Sequence, residues 1–234
     1  MIAVTFALPA ESSAFLSRLG NKSRSDRHDI KTIRGEIDDR TIEVLHTGVG
    51  EELCRQRMAS FLQDRQFDCL ISAGFAGALN DKLRAGDLLL AENFSTVELN
   101  AMRSGLGSSL IHRANLLTVT SIIDSIEERQ KIAQTTGALA VDMETEFIAR
   151  ACAEHGIPLL SLRAITDTPR ESFPAPAKVL FDLERQRTSM MKLALHLSKH
   201  PGAIPRLIVF ARRVARARST LATALVSILQ NDQL

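Results

Sequence analysis

Leu139-Ala-Val-Asp-Met-Glu-Thr-Glu-Phe-Ile-Ala-Arg-Ala-Cys-Ala-Glu-His-Gly-Ile-Pro-Leu-Leu-Ser-Leu-Arg-Ala-Ile-Thr-Asp167 reads as a strand, a helix and a second strand in one pass. The apolar run Leu139 to Met143 is short and bounded, as a buried strand is. From Glu144 to His155 the pattern changes: Phe147, Ile148, Ala151 and Cys152 fall at i, i+1, i+4 and i+5, one apolar stripe on a helix. Gly156 stops that helix, and Pro158 opens a strand that runs to Ile165. A strand, a crossover helix and a strand form the unit of a parallel sheet covered on both faces.

Working outward, the same alternation holds along the chain. Strands are predicted at Ile2 to Leu8, Thr41 to His46, Cys69 to Ala73, Asp87 to Ala91 and Leu116 to Ile122. Helices are predicted at Ala10 to Leu19, Glu51 to Arg65 and Ile126 to Thr135. Residues 20–40 are polar and fit a hairpin with short strands near Ile30 to Arg34, and residues 95–114 read as a loop. The expected fold is α/β: one domain with a mixed, mainly parallel central sheet flanked by helices. To it is added a basic C-terminal helical extension, with the boundary placed between 1–200 and 201–234.

Composition restricts the function classes. Hydrophobic residues make up 45% and charged residues 24% of the 234, so a sizeable core is available. With no Tyr or Trp, that core is aliphatic plus ten Phe. Cys54, Cys69 and Cys152 form an odd set without a C-x-x-C pair or a metal-ligand spacing, which suits a reducing cytoplasm and calls for no metal. The N-terminus lacks the basic start and cleavage site of a secretory signal, and no apolar stretch reaches the roughly 18 residues of a membrane span. Net charge is +2, yet residues 185–231 hold nine Lys or Arg and no acid, leaving the remainder of the chain acidic.

The chemistry gathers where strands end. Asp142, Met143 and Glu144 lie where a buried strand passes into a helix, a place where carboxylates cost free energy unless something binds them. One of them is accounted for by an acid in a helical first turn; two beside a methionine are not. Thr166 and Asp167 end the next strand in the same way, and Glu11 follows the first strand in Ala7-Leu-Pro-Ala-Glu11. The carboxyl edge of an open α/β sheet is where ligands bind, so three acids converge on one rim. Thr47-Gly-Val-Gly50 and Ala73-Gly-Phe-Ala-Gly77 read as turns whose glycines either admit a ligand close to the backbone or only turn the chain.

These residues resemble the purine nucleoside phosphorylase and nucleosidase superfamily, especially the 5′-methylthioadenosine/S-adenosylhomocysteine nucleosidases. The resemblance covers most of residues 1–170 and rests on Ala7–Glu11, Thr47–Gly50, Ser72–Leu79 with Leu83–Asp87, Ala140–Glu144 and Arg163–Asp167. It implies a nucleoside phosphorylase-like fold that cleaves the N-glycosidic bond of a 5′-substituted adenine nucleoside without a cofactor. Asp167 is then the acid that protonates the purine N7, and Glu11 the base that orients or deprotonates water. Glu144 binds the ribose hydroxyls, Met143 lies under the sugar, and Ala73, Gly74, Phe75 and Thr166 contact substrate. A homo-oligomer, dimer or trimer, is implied too. Phe75 departs from the family's small hydroxyl residue and Thr166 from its serine. The Asp167–Pro176 stretch and the basic tail are similar to the hopanoid-associated branch, which implies a lipid-linked adenosine.

Hydrolysis and phosphorolysis both stay open on this scaffold. Glu11 suits water and would repel a phosphate dianion, but Arg34, Arg103 or Arg113 could supply a phosphate site. A non-catalytic nucleoside-binding protein is a further alternative. Nucleic acid is not expected as a partner, because the tail's arginines are not interleaved with aromatic residues. The tail instead alternates Ile204, Leu207, Ile208, Ala211, Val214 and Ala215 with Arg206, Arg212, Arg213, Arg216 and Arg218, followed by the apolar run Leu221 to Leu229. Such a helix either packs on the domain or lies on an anionic membrane.

Overall fold

A computed structural model describes residues 1–99, 111–171, 173–176, 179 and 190–230, with only the backbone described for 190–192. Arg103, residues 100–110 of the expected 95–114 loop, Ser172 of the 167–176 stretch and residues 185–189 and 231 of the acid-free stretch lie outside the described residues.

The strands are β1 (Ile2–Phe6), β2 (Gly20–Arg27), β3 (Ile30–Ile37), β4 (Arg40–His46), β5 (Cys69–Ala78), β6 (Leu88–Ala91), β7 (Ile111–Ala114), β8 (Leu116–Thr118), β9 (Ala140–Asp142) and β10 (Leu159–Asp167). The helices are α1 (Pro9–Leu16), α2 (Glu51–Leu62), α3 (Ile126–Thr136), α4 (Thr145–Glu154), α5 (Met190–Lys199) and α6 (Ala203–Gln230). Among the described residues these strands make one ten-stranded mixed sheet in the order β2-β3-β4-β1-β5-β10-β6-β7, with β9 joining β5 to β8. β1, β4, β5 and β10 are mutually parallel neighbours, so their carboxyl ends share one edge. The protein is thus a single α/β domain flanked by helices.

Burial explains why the central strands form. Every residue of β1 and of β10 is buried, and α2 and α4 cover one face of the sheet with Met58, Phe61, Phe147 and Cys152 in a common cluster. The three cysteines are buried free thiols. Ser125 caps α3 by accepting from the Glu128 N–H, and Gly137 ends that helix in the left-handed region at φ 70°.

Four expectations are corrected. Ala73–Gly77 is not a turn but the interior of β5; its glycines are needed for clearance, as shown below. The strand expected to reach Ile122 stops at Thr118, whose hydroxyl donates to Asp142 and accepts from the Glu146 N–H at the start of α4. The 95–114 loop ends in a strand, β7, paired parallel to β6. The run Leu221–Leu229 is not a free apolar surface: Leu221, Leu225 and Leu229 are fully buried in the same cluster as Val4, Ile71 and Leu162. The second half of α6 therefore completes the core, and only the first half carries exposed Ile204, Ile208 and Val209. No helix among the described residues is long and apolar enough to cross a membrane.

Candidate active site

A cavity of about 170 Å³ opens at the carboxyl edge of the parallel strands, and Glu11, Phe75, Met143, Glu144, Thr166 and Asp167 all line it. Ala73 and Gly74 do not. They sit one layer deeper, on a recess of about 10 Å³ behind Glu11. That volume holds one water. The recess also touches Thr5, Ser72, Glu144 and Arg163, and the fully buried Thr5 hydroxyl has no hydrogen-bond partner among the described residues.

Glu11 is placed by the tight passage from β1 into α1. Its Oε2 accepts from the Leu8 N–H at 2.9 Å and its Oε1 from the Phe75 N–H at 2.9 Å. The second bond requires the carboxylate to lie flat on β5, and Gly74 makes room: a Cβ there would sit 3.3 Å from Glu11 Oε1. Burial raises the Glu11 pKa, opposed by the two backbone N–H groups and by the charge of Arg163.

Glu144 occupies the N-cap position of α4, and its Oε1 accepts from the Gly50 N–H at 3.1 Å. Gly50 has φ 94°, which only glycine adopts without strain, so the glycine-bearing turn after β4 serves the site directly. Burial, then Asp142, then Glu11 push the Glu144 carboxyl up to about 8. Two neighbouring buried acids do not both ionise readily.

Asp142 has a different role. Its carboxylate accepts from Thr118 Oγ1 at 2.9 Å, the Thr145 N–H at 3.2 Å and Arg163 Nε at 2.9 Å. Arg163 in turn donates to the Ser72 carbonyl and hydroxyl. A buried, fully paired ion pair of this kind ties β10, β9, β5 and α4 together beneath the cavity.

Asp167 ends β10. Thr166 Oγ1 donates to its Oδ1 at 2.9 Å, and Arg129 Nη2 donates to its Oδ2 at 2.5 Å. Gly77 of β5 faces it so closely that a Cβ would lie 2.9 Å from Oδ2. Burial raises the Asp167 pKa, with Arg129 and Thr166 opposing. Arg129 was not among the expected site residues. In sequence it is one charge among Glu127, Glu128 and Lys131 on a polar helix, and only its place one turn after the Ser125 cap aims it inward.

The remaining wall is mostly apolar, with Leu8, Val119, Ile122, Ile123 and Phe173 beside Ser121. Phe173 packs edge to face on Phe210 of α6 at 5.6 Å between ring centres. Of the candidate phosphate ligands, Arg34 lies exposed on β3 beside Met1, and Arg113 pairs with Glu92 at 3.0 Å, both away from the cavity.

A mixed sheet with buried carboxyl groups gathered at the carboxyl ends of its parallel strands is an α/β protein with its ligand site at that edge. The chain belongs to the phosphorylase superfamily, whose family model matches residues 1–105 and 99–199. It is 24% identical over 196 residues to the 5′-methylthioadenosine/S-adenosylhomocysteine nucleosidase of Staphylococcus aureus, covering 71% of this chain and 86% of that one. Its fold is similar to that of the Neisseria meningitidis nucleosidase of the same name, solved in complex with methylthio-immucillin-A (TM-score 0.69, 16% identity, 98% of each chain). It is also similar to a futalosine hydrolase mutant of Helicobacter pylori (TM-score 0.71, 16% identity, 97% of each chain).

Proposed function

We propose that this chain is an enzyme that hydrolyses the N-glycosidic bond of a 5′-substituted adenine nucleoside. The observation that carries the reading is how charge is distributed at the cavity. Four buried carboxyl groups line it, while both arginines at the cavity and its recess, Arg129 and Arg163, are already paired with two of them, Asp167 and Asp142. Such a site suits a cationic, oxocarbenium-like transition state and a neutral nucleophile better than a phosphate dianion. The relatives named for nucleosidase and hydrolase activity support the same choice.

In this mechanism the purine lies against Asp167, which gives its proton to N7 as the bond to the sugar lengthens. Glu144 accepts from the ribose hydroxyls, over Met143. Glu11 orients and deprotonates a water in the recess, where the Thr5 hydroxyl is a further partner. Phe75 and Thr166 shape the cavity, with Ala73 and Gly74 forming the floor of the recess.

The test is adenine release from adenosine, methylthioadenosine and a long-chain 5′-substituted adenosine, each with and without phosphate, by wild type and Asp167→Asn. Phosphate-independent release, with the unphosphorylated sugar (ribose from adenosine, the 5′-substituted ribose from the others) as product, is expected and should be lost in the variant. Ribose 1-phosphate as product would establish phosphorolysis instead, and tight nucleoside binding without release a binding protein.

We further propose that the 5′ substituent is a hopane-type lipid and that the enzyme, acting as a homo-oligomer, meets it at the inner face of the membrane. The supporting observation is the exposed half of α6, where Ile204, Ile208 and Val209 lie among Arg206, Arg212 and Arg216, beside the Phe210–Phe173 contact that reaches the cavity wall. Each basic residue near an anionic surface contributes about 1 kcal/mol. Wild type should co-sediment with anionic vesicles at low salt, and Ile208→Glu with Arg212→Glu should not. Equal sedimentation of both would sink this part of the reading.

A further inference from the structure

Arg129 is held independently of the acid it faces. Its residue is 2% exposed, and three of its N–H groups have three separate partners. Nε donates to the Ile123 carbonyl at 3.0 Å, Nη1 to the Ala78 carbonyl at 2.8 Å and Nη2 to Asp167 Oδ2 at 2.5 Å. Two backbone carbonyls, one at the end of β5 and one in the cavity wall, thus fix the guanidinium plane before Asp167 is considered. A solitary buried arginine is costly, and a salt bridge is an uneconomical way to hold two strands together when apolar packing is available. A fixed cation beside a proton donor has a chemical use.

We propose that Arg129 is a positioning residue that makes Asp167 a stronger acid, by stabilising the carboxylate that remains once the proton has gone to the base. This rests on the assignment of Asp167 as the general acid. In the step itself the Asp167 O–H bond breaks and an N7–H bond forms. The electron pair of the glycosidic bond passes to the purine, and a negative charge appears on the oxygen pair next to Arg129. Once the base has left, Asp167 recovers a proton from solvent.

The groups facing Asp167 from each packed element decide the direction of the pH effect. From α3 comes the Arg129 cation, and from the segment before it Asp124, whose negative charge opposes ionisation. From β10 comes the Thr166 hydroxyl, which donates to Oδ1. From β5 comes Gly77, with no side chain. With Arg129 removed, burial and Asp124 would act with only Thr166 against them, so Asp167 would keep its proton to higher pH and release it less readily.

The experiment is the pH profile of kcat and kcat/KM for wild type, Arg129→Met, Arg129→Lys, Asp167→Asn and the Met–Asn double variant on a soluble adenine nucleoside. In Arg129→Met the alkaline limb should move up by about one pH unit or more, and kcat below that limb should fall about tenfold with KM little changed. Arg129→Lys keeps the charge without the planar fork and should shift the limb less. Asp167→Asn should retain only a small measurable rate, with no added loss in the double variant. An unmoved alkaline limb in Arg129→Met would overturn the proposal. So would losses that multiply in the double variant. Should Arg129→Met not fold, the ¹³C carboxyl titration of Asp167 decides, in wild type against Arg129→Lys: a higher midpoint in the variant supports the proposal, and coincident curves refute it. Near-native turnover in Asp167→Asn would instead remove the acid assignment itself, which is a distinct failure.

Discussion

Gly77→Ala places one methyl group against the acid and tests whether the spacing between β5 and β10 is set for Asp167. Gly77 pairs with Asp167 across the two strands, and the new Cβ would stand 2.9 Å from Oδ2 and 3.4 Å from Cγ and Oδ1. Ordinary carbon–oxygen contact begins near 3.4 Å, so about half an ångström must be found. The carboxylate cannot yield freely, because Arg129 holds Oδ2 at 2.5 Å and Thr166 holds Oδ1 at 2.9 Å. Either the ion pair lengthens or the strands part. Overpacking of this size costs about 1–3 kcal/mol of stability, a fall in Tm of roughly 2–12 °C for a chain of this length. A displacement of about 1 Å at a reacting group costs up to about a hundredfold in rate, so half of that predicts a loss of about tenfold in kcat. Two controls set the scale. Gly74→Ala meets Glu11 Oε1 at 3.3 Å and needs only a tenth or two, while Gly202→Ala meets nothing within 4 Å. Base release at saturating nucleoside and calorimetric melting should therefore rank Gly77→Ala worst, Gly74→Ala milder and Gly202→Ala neutral. A Gly77→Ala enzyme with kcat within about twofold of wild type, or one less impaired than Gly74→Ala, would refute the reasoning.

Two further outcomes follow from burial. Glu144, held up to about 8 in the fold against an ordinary 4.5, contributes stability that is complete below about 4.5 and is lost as pH rises to 8, because the unfolded chain ionises first. Glu144→Gln is neutral in both states, so its Tm relative to wild type should climb between pH 5 and pH 8 in calorimetric scans. A difference that stays flat over that range would contradict the burial argument. Leu225→Ala removes a fully buried side chain of α6 and should cost about 2–5 kcal/mol in urea unfolding, whereas Ile208→Ala, at an exposed position, should stay within about 0.5 kcal/mol. Equal, small effects would mean that α6 is an appendage.

The central strands and the acidic rim were legible because two local signals agree there. Ile2–Phe6 and, apart from Ser161 and Arg163, Leu159–Ile165 are apolar on both faces, as a sheet covered on both sides requires, and parallel strands bring the acids at their carboxyl ends to one edge. What was not legible depends on contacts between strands. Ala73–Gly77 looks like a turn because two glycines stand three apart. That Glu11 and Asp167 press on those glycines from neighbouring elements is invisible along the chain. β2, Gly20–Arg27, is exposed throughout, so it has no apolar alternation to show. Arg129 was hidden for the opposite reason: a polar helix does not announce which of its charges turns inward.

The long C-terminal helix shows the same limit and joins fold to function. At 1.5 Å per residue its 28 residues form a rod of about 42 Å, with Pro205 in the first turn, where proline does not interrupt the hydrogen-bond ladder. One end is clamped in the core through Leu221, Leu225 and Leu229, so the arginine-bearing end is held at a fixed angle instead of trailing as a tail. Deleting residues 201–234 would therefore remove core along with surface, and loss of vesicle binding in such a truncation would say nothing about the arginines. Substitutions confined to Ile204–Arg216 leave the clamp intact. Within that stretch Phe210 rests on Phe173, and Arg213 pairs with Glu171 at 3.2 Å. Both partners belong to the segment that follows the strand ending in Asp167, and one of them, Phe173, lines the cavity, so the exposed half of the helix is tied to the cavity wall.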